Sequence, residues 1–155
     1  MNHVSESALV VGILLLIFIV PVYVVARLSR KKRQAKLIEQ LQTVVSSHQL
    51  DLTHSELLDN KIIGWSKEDK MLLFAVHHDD GVIINDLSAA SRAYVIRNMN
   101  GSAVKSVMLQ IADNNNMILC GIPFYEQFTD NELKLKRLET QARDWEQLLN
   151  VHFKR

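Results

Sequence analysis

KIIGWSKEDKMLLFAVHHDDGVIIND, Lys61 to Asp86, is the stretch in which the chain declares its class. Lys61–Trp65 is short and apolar at Ile62 and Ile63, and Met71–His77 is a nearly continuous apolar run, the pattern of a strand covered on both faces. Between them Ser66-Lys67-Glu68-Asp69 makes a polar hairpin turn. Asp79-Asp80-Gly81 makes the next one, because Asp80-Gly81 can take the positive φ values of a tight hairpin, and Val82–Asn85 is the third strand.

Downstream the same period continues. Ala93–Met99 is a fourth strand, ended by Asn100-Gly101-Ser102. Val107, Leu109 and Ile111 alternate with Met108 and Gln110, as in a half-buried strand. Asp113 and Asn114-Asn115-Asn116 turn the chain into Met117–Phe124, where Gly121 and Pro123 mark a bent or edge strand. Six strands joined by short turns, with no helix of ten or more residues between them, predict an antiparallel sheet or small barrel and exclude parallel crossovers. The chain then ends in a helix. Thr129-x-x-Glu132 has the form of a capping box, with Asp130 adding negative charge to the first turn. Leu135, Leu138, Ala142, Trp145 and Leu149 form a narrow apolar seam that packs on the sheet, with Trp145 as a core anchor.

Upstream of Lys61 the pattern is helical. Thr53-x-x-Glu56 reads as a capping box for a single turn ahead of Leu57 and Leu58, and residues 48–58 as a connection. Leu37, Ile38, Leu41, Val44 and Val45 recur at helical spacing, so a stalk helix runs to Ser47. Before it, Ala8–Ala26 is 19 residues without a charge. At ~1.5 Å per residue this matches the ~30 Å hydrocarbon thickness and predicts a transmembrane helix, capped by Ser5 or Ser7, kinked at Pro21 and with Tyr23 near the interface. The N-terminus carries no Lys or Arg ahead of the apolar run, which argues against a cleaved signal peptide.

Arg27, Arg30, Lys31, Lys32, Arg33 and Lys36 follow the apolar run. By the positive-inside rule they place the protein in the inner membrane as a single-pass chain, N-terminus outside and C-terminal domain in the cytoplasm. These six cations set topology at the membrane surface and can meet anionic headgroups at roughly 1 kcal/mol per charge. The expected layout is a tail at 1–7, the span at 8–26, a basic juxtamembrane segment and stalk at 27–47, the connection at 48–58, and an α+β domain at 59–155.

Composition narrows the function. The chain has 155 residues, 48% hydrophobic and 23% charged, a globular balance. Its net charge of +1 is the sum of two unlike parts: setting aside the six cations and Glu6 leaves residues 37–155 with 12 basic and 16 acidic side chains, about −4. Basic character confined to ten residues argues against a nucleic-acid partner. The single cysteine, Cys120, excludes an internal disulfide framework and a multi-cysteine zinc site.

Chemistry-bearing clusters are few. His77-His78-Asp79-Asp80 is the most metal-like, but adjacent histidines on a strand point to opposite faces, and a solvated hairpin end is the plainer reading. Cys120 lies in an alternating strand and reads as a small buried hydrophobe. The five glycines form no phosphate-binding loop. Arg92 and Arg97 near the open side of the barrel could receive an anion, with surface solubility the simpler reading. No catalytic, metal or cofactor site is expected, and no enzyme.

Antiparallel strands followed by one amphipathic helix resemble the pleckstrin-homology-like fold. With the N-terminal span, the basic stretch, NKIIGW, KMLLFAV, VIINDLSAA, SVMLQI, IPFYEQ and DNELKLKRLETQARDWEQLLN, the chain looks like a family of small bacterial single-span membrane proteins carrying such a domain. The resemblance implies seven strands, one more than the six read above, and no site residues. The functional expectation is a membrane-anchored, non-catalytic interaction or scaffold module, whose partners are the lipid bilayer and an unknown membrane or cytoplasmic protein. Two rivals stand beside it. One is an accessory subunit of a larger membrane complex, held through a close-packing face at Ala8 and Gly12. The other is a lipid-sensing module, which the acidic balance of residues 37–155 disfavours. Oligomeric state is left open.

Overall fold

The computed structural model describes residues 3–77 and 81–153, with side chains described for Ile19, 21–77 and 81–153. One long helix, α1 (His3–Ser47), leads into β1 (His54–Leu58), β2 (Lys61–Ser66), β3 (Met71–Val76) and β4 (Val82–Asp86). β5 (Ala90–Asn100), β6 (Ala103–Asp113) and β7 (Ile118–Glu126) follow. A 3-10 turn (Glu132–Lys134) opens into α2 (Leu135–Phe153).

The strands form two antiparallel sheets, β1-β2-β3-β4 and β5-β6-β7. The expected antiparallel sheet or small barrel of about six strands is therefore corrected to two separate sheets of four and three strands. The added strand is β1, on residues read as a connection with one helical turn. Leu57 pairs with Ile62 and Leu58 with Lys61 across a two-residue turn at Asp59 and Asn60, so hairpin pairing overrides the helical cap signal at Thr53 and Glu56. Asp59 takes φ 48°, a left-handed conformation that aspartate tolerates better than most residues.

Strand alternation explains the core. On β2 and β3, Ile63, Trp65, Leu72 and Phe74 face one way, and meet Val107, Leu109 and Ile111 of β6, Ile122 and Phe124 of β7, and Leu138, Ala142, Trp145 and Leu149 of α2. The alternate residues, Ile62, Leu73 and Ala75, face the other way and pack on Leu37 and Leu41 of α1. Both faces of β3 are covered, which is why its sequence is apolar without interruption. Leu37 is 0% and Leu41 3% exposed, each worth roughly 1.5–3 kcal/mol of burial. The C-terminal part of α1 is thus clamped to the four-stranded sheet.

α1 also corrects the membrane reading. Among the described residues no helix is long and apolar enough to cross a membrane. The side chains of residues 3–18 and of Val20, including Ala8 and Gly12, lie outside those described. Of the expected span at 8–26, only the side chains of Ile19 and residues 21–26 are among those described, and from there the helix runs straight into Arg27, Arg30, Lys31, Lys32, Arg33 and Lys36. The transmembrane assignment and the single-pass inner-membrane location are withdrawn on this finding. Around Ile19–Leu28 the described apolar side chains are exposed, Val22 at 70% and Tyr23 at 64%.

Candidate functional site

Lys61 begins β2 on its inward-facing register, where an aliphatic side chain would ordinarily sit. Its side chain is 1% exposed and puts the ammonium 2.8 Å from the Oδ2 of Asp130, whose side chain is 4% exposed. Lys61 Nζ also donates to the Phe124 carbonyl at 3.5 Å. The same Asp130 oxygen accepts the Glu126 backbone N–H at 2.8 Å. Asp130, expected in the first turn of the C-terminal helix, is thus drawn into the core margin as the counter-ion of Lys61. Asn131 caps the 3-10 turn instead, its Oδ1 accepting the Leu133 N–H at 2.9 Å.

Next to this pair, Lys134 Nζ lies 2.6 Å from Asp59 Oδ2 on the β1–β2 turn. Arg30 and Arg33 of α1, Asp59, Asn60, Asn131 and Lys134 line one cleft of about 240 Å³. Asn60 Oδ1 is closed off from solvent with no hydrogen-bond partner among the described residues. Two residues next in sequence to that lining are left out by the fold. Phe128 is 93% and Leu133 92% exposed. Phe128 also adopts φ 71°, a left-handed conformation costly for an aromatic residue. The β7–α2 connection holds it there through N–H bonds from Thr129 and Asp130 to the Glu126 carbonyl, at 3.2 and 2.9 Å.

Of the six cations expected at a membrane surface, Arg30 and Arg33 reach this cleft. Arg27, Lys31, Lys32 and Lys36 lie exposed along α1. Arg92 and Arg97 are taken up locally: Arg92 lies 5.2 Å from the Tyr94 ring centroid, and Arg97 is 3.6 Å from Glu139. His78, Asp79 and Asp80 lie outside the described residues. Among those described, no group of three or more His, Cys, Asp or Glu side chains could hold a metal. Lys61 and Asp130 are 69 positions apart, so no local spacing announces their pairing. Phe128 alone left a trace, as a single aromatic in the polar stretch Gln127-Phe128-Thr129-Asp130-Asn131.

A second polar cluster locks α2 to β1. Glu56 Oε2 accepts the Trp145 indole N–H and Glu56 Oε1 the Gln141 amide, both at 2.6 Å. His54 lies 5.0 Å from Trp145, ring centre to ring centre. With each carboxylate oxygen holding a donor, Glu56 is built as an anchor.

Cys120 is half-buried on β7 against the main core, and burial pushes its thiol up to about 11. Alkylation by iodoacetamide should therefore be slow at about pH 8, where roughly one thiol in a thousand is ionised, and should speed up only as pH approaches the folded value. In the unfolded chain the thiol ionises near its ordinary ~8.5, so its contribution to stability is lost as pH rises from there through the folded value. Alkylation rates followed by mass spectrometry, folded and in denaturant, check both statements.

No family model, curated protein or solved structure matches the chain. Fold and site define a two-sheet α+β domain with an N-terminal helix docked on its four-stranded sheet.

Proposed function

We propose that the chain is a non-catalytic interaction module that recruits a protein partner at the junction of α1 with the β7–α2 connection. The observation that carries this is the pair of apolar side chains, Phe128 at 93% and Leu133 at 92% exposure, held beside a polar cleft. Two apolar anchors rimmed by charge are the arrangement of an interface hot spot, and a strained aromatic that nothing in the fold uses is kept for something outside it. The partner this surface fits offers an apolar pocket with an acidic edge for Arg30 and Arg33. Asp59, paired to Lys134, and the exposed amide of Asn131 add directional hydrogen bonds at the rim. Such bonds suit a protein surface better than a layer of mobile headgroups.

The test places a photo-crosslinking amino acid at Phe128 in the full chain, with exposed Asn115 as the control position. One adduct of defined mass from position 128, absent from 115 and lost with Arg30→Glu/Arg33→Glu, is the expected result. Equal labelling from both positions would remove the interaction surface. Binding to anionic vesicles in its place, abolished by the same double substitution, would replace the protein partner with a lipid surface.

A further inference from the structure

Trp65 and Trp145 are both fully buried, at 2% and 1% exposure, but they differ in one bond. The Trp145 indole N–H donates to Glu56 at 2.6 Å. The Trp65 indole N–H is closed off from solvent and has no acceptor among the described residues. Leaving such a donor unmet costs about 1–3 kcal/mol, so it calls for an explanation.

Trp65 lines a cavity of about 330 Å³, built where the β2–β3 turn, the β4–β5 turn and the last turn of α2 converge. Leu87 and Phe153 supply apolar wall beside it, and Lys67, Lys70 and Ser88 supply the polar lining. The wall is aromatic: His152 stacks on Trp65 at 6.4 Å and Phe153 meets it edge-on at 6.4 Å. Neither lysine forms a salt bridge among the described residues. The two nearby acids have donors of their own. Asp86 accepts the Ser88 N–H and hydroxyl, and Asp69 accepts the Ser66 hydroxyl at 2.6 Å and the Asp51 N–H at 3.4 Å. Lys70 is close enough to Asp86 for its charge to help hold that carboxyl below the usual range, so Lys67 is the ammonium left to face an anion from outside.

We propose that this cavity binds a small carboxylate with a flat apolar body. The aromatic wall takes the body and Lys67, helped by Lys70, takes the carboxylate, so that the bound ring lies against Trp65 and shifts its indole N–H resonance. The volume, near the low end of the ~300–1,000 Å³ typical of ligand pockets, limits the body to about one ring system. The residues are separate from those of the recruitment surface, so either reading can fail without the other.

The experiment is a titration of the ¹⁵N-labelled full chain with phenylacetate, benzoate and indole-3-acetate, following the two indole N–H resonances. At least one carboxylate should move the Trp65 resonance saturably and leave that of Trp145, already bonded to Glu56, in place. The matching neutral amide, and the surface double variant Lys67→Gln/Lys70→Gln with the carboxylate, should each bind at least ten-fold more weakly. A Trp65 resonance that none of the three carboxylates moves would overturn the site. So would equal affinity for acid and amide, or undiminished binding by the lysine variant.

Discussion

Asp130→Ala should destabilise the domain by about 3–5 kcal/mol in urea unfolding, the range for removing one member of a buried ion pair. The size comes from what stays behind. Lys61, its side chain 1% exposed, would keep only the long 3.5 Å contact to the Phe124 carbonyl, and the Glu126 N–H would lose its acceptor. Removing both charges, as Lys61→Met/Asp130→Leu, should recover most of the loss, because the pair spends much of its attraction on desolvation. If Asp130→Ala alone costs under about 1 kcal/mol, water reaches Lys61 and the pair is not an internal tie. The consequence for the proposed recruitment surface is direct. Asp130 fixes the connection that holds Phe128, so amide hydrogen exchange from Gln127 to Asn131 should speed up in the single variant and be slow again in the double one.

Trp145→Ala should cost a similar ~3–5 kcal/mol, since it empties the largest inward position of α2. The loss has two parts that a second variant separates. Trp145→Phe keeps most of the ring volume but leaves Glu56 Oε2 without its indole donor, and should cost about 1.5–3 kcal/mol, the range for a hydrogen bond to a charged group. For a domain near 100 residues each kcal/mol lowers Tm by roughly 4–8 °C, so thermal melts resolve the two variants. Equal losses for Ala and Phe would assign the whole effect to the bond with Glu56.

The strands were legible because their signal is local. β2 to β7 lie on the six stretches whose apolar residues alternate or run unbroken, and α2 lies on the seam from Leu135 to Leu149. β1 was not legible. His54–Leu58 has polar residues at its start because that end is exposed, and its strand character comes from pairing with β2 rather than from its own pattern. The Met71–Val76 run showed that both faces of β3 are covered, but not that α1 does the covering. By spacing alone the six cations after the apolar run have the pattern of a membrane flank. The fold instead brings Arg30 and Arg33 of that cluster to the cleft beside Lys134.

What the sequence by itself determined depends on neighbours within a few residues: that the segments of β2 to β7 extend, that those of α1 and α2 coil, and where the turns between β2 and β7 break the period. Those choices follow from side-chain alternation, turn chemistry and helical spacing, which are properties of short windows. Tertiary structure alone decided that the strands divide into two sheets, that Leu37 and Leu41 find Ile62, Leu73 and Ala75, and that Lys61 meets Asp130. It alone set the contrast between a satisfied Trp145 and an unsatisfied Trp65. Burial and the pairing of distant polar groups are set by where the chain returns in space, and short-range spacing carries no record of that return.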